Sequence, residues 1–285
     1  MVTHSPIFVT KDTITNVYRF INVDGKTAIL KPTITESQKT LAKILDLTSS
    51  AKIFFVRKAI LVEGETDEYF WRFHLGQLKQ SSKGDSASWK TQITDFEIFS
   101  IKGKGERAAW SGFLEKFGLQ ISFIGDWDNI TEVTPVDIQS YEQSYAQAIE
   151  KAHREIQKKG SHDGANIFAT IDKCLENLSE ENLTALRTLK DYIVSRHVKY
   201  PTLIAHIQKN QPQEWNKIEQ AIDQAYTGKI YILKRGELED YLSLPDKGLD
   251  KVIEFCQNGY SQWLLEPAFK EHGKELERIA ETIFA

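Results

Sequence analysis

Three short apolar runs, each leading straight into acidic residues, constrain this chain more than any other feature. They are KAILVEG (58–64), LQISFIGDWDN (119–129) and the segment KIYILKRGELEDYL (229–242). A compact apolar run of this kind is the pattern of a parallel strand covered on both faces. Between the first two lies TDEYFWRFHLGQL (66–78), which reads as a helix with Thr66 as its cap. DFEIFSI (95–101) reads as a further strand. The GKG loop at 103–105 then opens a helix, ERAAWSGFLEKFG, ended by Gly118. Strand and helix in strict alternation predict a parallel sheet with helices on both faces. In such sheets the chemistry sits beyond the carboxyl ends of the strands.

The rest of the chain reads differently. From about 134 to 226 long polar segments carry helical periodicity and almost no strand signal, as an inserted helical region would. Upstream, VYRFINVDGKTAIL (17–30) has an Asp24-Gly25 turn between apolar runs, which favours a hairpin. ITESQKTLAKILDL follows as a helix, with Thr35 and Gln38 placed as a capping box and Leu41, Ile44 and Leu45 at helical spacing. At roughly 150 residues per domain, the 285 residues leave room for two domains.

Composition narrows the function classes. With 36 basic and 40 acidic residues the formal charge is −4, which argues against a binder held on nucleic acid by bulk positive charge. Two cysteines, Cys174 and Cys256, build no disulfide framework, and no CxxC pair suggests zinc. No apolar run approaches the ~18 residues of a membrane span, and the first residues lack the order of a signal peptide. The expectation is a cytoplasmic protein.

The acids at the strand ends carry the chemistry. The first run ends in Glu63, with Asp67 one helical turn on; the second runs into Asp126 and Asp128; the third into Glu237 and Glu239. One such motif is readily accounted for by helix capping, but three at three strand ends are not. Were these strands neighbours, five or more carboxylates would converge, and their repulsion would raise their pKa values unless cations were present. Hard oxygen ligands suit Mg²⁺ or Mn²⁺, and a pair of such ions suits phosphodiester cleavage. In an extended backbone Glu237 and Glu239 would share a face, with Leu238 turned to the core.

LVEGETD (61–67), GDWDN (125–129) and GELEDYL (236–242) resemble the three acidic motifs of the Toprim domain of OLD (overcoming lysogenization defect) family nucleases. The resemblance spans about 36–285. It implies a Rossmann-like Toprim fold with a helical insertion, acting as a two-metal DNA endonuclease or nickase in anti-phage defence. Carried over, Glu63, Asp67, Asp126 and Asp128 would surround one Mg²⁺ or Mn²⁺, and Glu239 with Glu237 would help hold a second. Glu63 would be catalytic. So would a lysine offsetting phosphate charge, for which Lys270 in EPAFKEHG is preferred over Lys247 and Lys251. Lys102, Lys104 and Gly105 are placed to approach a phosphate. Two other readings stand beside this one: another Toprim activity (topoisomerase, primase or RNA maturation), or an inactive module for DNA binding or assembly.

VTHSPIFV (2–9) resembles the segment that carries the switch histidine of ABC-type ATPases, here His4. On that resemblance 1–35 is the tail of such an ATPase domain and 36–285 the Toprim catalytic domain. The ATPase domain of the intact protein would be a partner, with homo-oligomerisation through it. No GxxxxGK[ST] loop occurs, so no ATP site is expected in this chain.

Overall fold

The computed structural model describes residues 8–45, 55–82, 88–103, 105–134, 140–148, 179, 203–244, 247–267 and 269–285. The chain divides into two compact units. One is Met1–Thr134 together with Glu219–Ala285, and the other is Pro135–Ile218.

The first unit opens with an antiparallel hairpin, β1 (Arg19–Val23) and β2 (Lys26–Leu30), in which Phe20 faces Ile29. Its turn has φ 50° at Asp24 and 78° at Gly25. Both values are left-handed, as a two-residue turn matched to strand twist requires. Helix α1 (Gln38–Leu45) buries Leu41, Ile44 and Leu45. Its cap is Ser37, whose Oγ accepts the Thr40 N–H at 3.2 Å, rather than Thr35.

The main sheet contains β3 (Lys58–Val62), β4 (Phe96–Ser100), β5 (Gln120–Gly125) and β6 (Ile230–Ile232), all parallel, in the order β4-β3-β5-β6. The doubly covered parallel sheet expected from the alternation is what forms. Ala59, Ile60, Leu61 and Val62 of β3 are all buried, which is why that run lacks polar alternation. Helix α2 (Glu65–Ser81) buries Phe70, Trp71, His74, Leu75 and Leu78, one stripe at helical spacing. Its cap is Gly64 and not Thr66. Helix α3 (Arg107–Glu115) buries Trp110, Phe113 and Leu114 and is followed by a turn with Gly118 at φ 72°. A Cβ on Gly118 would lie 2.7 Å from Leu30 Cδ1, so glycine is required both by the turn and by the close approach of the hairpin. Buried Arg19 fastens the same contact, donating to the carbonyl oxygens of Phe117 and Val56.

The third acidic segment departs from expectation. β6 is only three residues long, and GELEDYL is not an extension of it. Gly236 turns the chain with φ 134°, and α6 (Leu238–Leu242) begins two residues later, after two earlier helices given below. Glu237 is the cap of α6 and Glu239 lies in its first turn, so the shared strand face expected for these two acids does not exist. Leu238 is nevertheless buried. The physical reason is the cap: Asp240 accepts the Glu237 N–H at 2.9 Å, which stabilises the start of a helix.

The remaining described chain is helical. α7 (Leu249–Glu254) continues through a π turn, Phe255–Gly259, into α8 (Tyr260–Trp263). A second π turn, Phe269–Gly273, leads into α9 (Lys274–Phe284). Cys256 is buried here. The two earlier helices are α4 (Leu203–Asn210) and α5 (Pro212–Ala225). In the second unit His206 of α4 lies 3.3 Å from Ser144 Oγ and against the Tyr145 ring. Most of the region expected to be a helical insertion lies outside the described residues, with His153, His162, His197 and Cys174, as do His4 and Lys104.

Candidate active site

The sheet order places the three acid-bearing strands side by side. β3 pairs with β5 in register Val62↔Ile124, and β5 pairs with β6 in register Gly125↔Ile232. Their carboxyl ends therefore finish at one level. Glu63 follows β3 directly, Asp126 follows β5 directly, and Glu237 opens the helix reached from β6 by a four-residue turn. Trp127 N–H donates to the Gly236 carbonyl at 2.9 Å, which ties the second acidic loop to the third.

Protein donors hold Glu63, Asp126, Asp67 and Asp128. Glu63 Oε1 accepts the Asp126 N–H at 3.1 Å and also the Asn129 side-chain amide. Asp126 Oδ1 accepts the Leu238 N–H at 3.2 Å, joining β5 to the start of α6. Asp67 Oδ2 accepts the Gly64 N–H at 3.0 Å. Asp67 thus caps α2 while belonging to the acidic cluster, and Asp240 does the equivalent capping for α6. Asp128 is exposed, with Oδ1 3.0 Å from Asn129 Nδ2.

The electrostatics show that five of these carboxylates interact. Burial pushes the Asp126 carboxyl up to about 9, reinforced by the charges of Asp67, Glu63, Glu237 and Glu239. Burial raises Asp67 to about 7, with Glu239 and Glu63 adding to it and the Gly64 N–H opposing it. Such mutual repulsion at fixed positions is what a cation relieves. The donor set, entirely oxygen, fits a hard divalent ion. Among the described residues, however, no three His, Cys, Asp or Glu side chains are gathered closely enough to enclose a metal.

The lysines sort themselves by position. Lys247 Nζ lies 2.6 Å from Glu237 Oε1, and its pKa is raised by that hydrogen bond and by the charges of Glu237, Glu239 and Asp126. Lys270 is exposed on the π turn at 269–273, which packs against α6. Lys251 lies 3.9 Å from Glu254, on its own helix run. Lys102 has φ 53° and pairs with Glu65 at 3.3 Å, beside the first acidic motif.

Two features have little or no signature in the sequence. Asn129 is buried beneath Glu63 and Asp128, and the only signal for it is its place at the end of GDWDN. Behind the third motif, the Tyr241 hydroxyl donates to Glu275 Oε2 at 2.6 Å and accepts the Arg235 N–H, while Glu275 Oε1 accepts the Lys234 N–H. Lys234 Nζ lies between Glu219 and Asp223 of α5. This buried network anchors the 233–241 turn to α9, and nothing in local sequence links residues so far apart.

Residues 54–128 match the family described as overcoming lysogenization defect protein-like, TOPRIM domain. The matched range runs from the approach to β3 through Asp128, so it contains the first two acidic motifs. It supports a Toprim region of an OLD-like protein, and the parallel four-stranded sheet is consistent with a Toprim domain. A Toprim domain of this type points to nuclease-type chemistry, with DNA as the substrate that chemistry implies. No curated protein and no solved structure matches the chain significantly. Among the described residues no helix is long and apolar enough to cross a membrane.

Proposed function

We propose that this chain carries the catalytic centre of a metal-dependent DNA endonuclease or nickase of the OLD-like type, serving in defence against phage. The observation that supports it most is the adjacency of β3, β5 and β6, which brings acids from three separate motifs to one sheet edge. Glu63, Asp67, Asp126 and Asp128 would hold one Mg²⁺ or Mn²⁺, and Glu239 with Glu237 would help hold a second. Bound there, the ions would supply an activated water and charge for the leaving 3′ oxygen. The protein's own contribution is orientation. The Asp126 N–H fixes Glu63, the Gly64 N–H fixes Asp67, and the Leu238 N–H fixes Asp126 against the third motif. Lys247, already at Glu237, is the cation we assign to offset phosphate charge, with Lys270 the second candidate. The stretch 1–35 is proposed as the tail of an ABC-type ATPase domain and 36–285 as the Toprim catalytic domain. Oligomerisation would run through that ATPase domain, in the cytoplasm.

Nicking of supercoiled plasmid with Mn²⁺, with Mg²⁺ and with EDTA tests this reading. Cleavage should need the metal and should vanish in Glu63→Gln. Lys247→Ala should slow it more than Lys270→Ala. Cleavage that persists in EDTA refutes the proposal. A folded protein that cleaves with neither metal favours the inactive binding module instead, a reading that the lack of an enclosed donor cluster among the described residues would then explain.

A further inference from the structure

Asn129 stands at the meeting point of the first and second acidic motifs. Its side chain is buried, 4% exposed, among the carboxyl groups of the two motifs. Asn129 Nδ2 donates to Glu63 Oε1, lies 3.0 Å from Asp128 Oδ1, and lies 3.2 Å from the Asp126 carbonyl oxygen. All three partners are acceptors. The reverse amide orientation would set a carbonyl oxygen against two carboxylates, so chemistry fixes the NH₂ group on this side.

The amide is itself rigidly placed. The Asn129 backbone N–H donates to the Asp126 carbonyl at 3.0 Å, inside the short 3₁₀ helix Trp127–Glu132. The strand that precedes this helix ends on a glycine. A Cβ on Gly125 would sit 3.1 Å from Asn129 Nδ2 and 2.7 Å from the Phe123 ring. A residue that merely capped the turn would need only its backbone contact. This side chain instead reaches across to the carboxylate that follows a different strand.

We propose that Asn129 is a positioning residue for the acidic centre, a neutral clamp that sets the rotamers of Glu63 and Asp128 together. The inference rests on the metal-binding reading above and deepens it. Glu63 Oε1 accepts two protein donors, the Asp126 N–H and this amide, so the clamp fixes the plane in which the Glu63 carboxylate meets a cation. Asp128, on the exposed rim, has its orientation tied to that of Glu63 through one shared NH₂ group. A neutral donor does this without adding a charge that would compete with a cation.

The test is a calorimetric Mn²⁺ titration, without DNA, of the wild-type chain, Glu63→Gln, Asn129→Ala and Asn129→Ser, each shown folded by circular dichroism. Loss of residues that orient metal ligands typically costs about 10–100-fold in affinity. Asn129→Ala should therefore raise the half-saturating Mn²⁺ concentration by about tenfold or more with unchanged stoichiometry. Asn129→Ser, which keeps one short donor unable to span both carboxylates, should fall between. A purely structural role would lower the melting temperature and leave the isotherm of the folded protein where it was. An Asn129→Ala isotherm within about twofold of wild type, while Glu63→Gln loses binding, overturns the clamp and leaves the metal reading intact. A wild-type chain that takes up no Mn²⁺ overturns both. If Asn129→Ala does not fold, Asn129→Ser decides; if neither folds, the clamp is overturned in favour of a structural role.

Discussion

His74 is wholly buried on α2, two turns beyond Asp67. Its Nδ1 lies 2.8 Å from the Tyr260 hydroxyl, its ring stacks on Phe70, and Trp71 and Trp263 meet it edge-on. Burial, with a smaller push from the Lys90 charge, lowers its pKa from 6.5 to about 3. The unfolded chain therefore takes a proton at His74 well before the folded chain does. This residue's contribution to stability is complete above pH 6.5 and is lost as pH falls from there toward 3. With one pKa unit worth about 1.36 kcal/mol, the loss at pH 5 is about 2 kcal/mol. The replacement His74→Phe keeps a ring against Phe70 and removes the titration. Guanidinium unfolding of both proteins at about pH 7.5 and about pH 5, followed by tryptophan fluorescence, gives the comparison. Wild type should lose about 2 kcal/mol more than His74→Phe over that interval, whatever the variant's offset at the higher pH. Equal losses in the two proteins would mean that His74 is protonated in the folded state or reached by water, and the argument from burial would be wrong.

Three further outcomes are expected. Glu63→Gln should abolish metal-dependent nicking yet shift the melting temperature by only a few degrees, because a glutamine oxygen can still accept the Asp126 N–H; wild-type cleavage in the variant would remove Glu63 from the mechanism. Tyr241→Phe should cost about 2 kcal/mol in urea unfolding, since it removes the partner of Glu275 Oε2 and of the Arg235 N–H, and a cost below about 0.5 kcal/mol would mean the network behind the third motif contributes nothing. Gly118→Ala should destabilise by about 1–2 kcal/mol through its left-handed backbone and its clash with Leu30 Cδ1, and a neutral result would show that the hairpin is not seated on α3.

The sheet is legible in the sequence because β3, β4 and β5 are apolar runs with buried centres, a pattern that little besides a doubly covered parallel strand produces. The acids that follow β3 and β5 are legible for the same reason: a charge directly after such a run has to lie at the sheet's rim. The third motif is harder. KIYIL reads as strand whether it pairs over three residues or all five, and the Glu237-to-Asp240 spacing, a helix-cap signature, overlaps the alternation that suggests a strand. Asn129 is hidden because its role depends on Glu63, brought near only by the β3–β5 register. Which lysine meets the cluster depends on the path from α6 to α7, and nothing periodic in the sequence encodes that path.

The short pairing of β5 with β6 also sets an order of events in folding. β3, β4 and β5 can find one another within a continuous stretch of chain, whereas Phe123 must meet Ile230, roughly a hundred residues downstream, to close the sheet. Only three residues of β6 reward that closure. The first two acidic motifs should therefore be assembled early, and the third should arrive last. Because closure entropy grows only with the logarithm of loop length, doubling the intervening chain would cost just about 0.6 kcal/mol. The crossover between β5 and β6 is thus the place where this fold can accept added chain at little cost to its acidic edge.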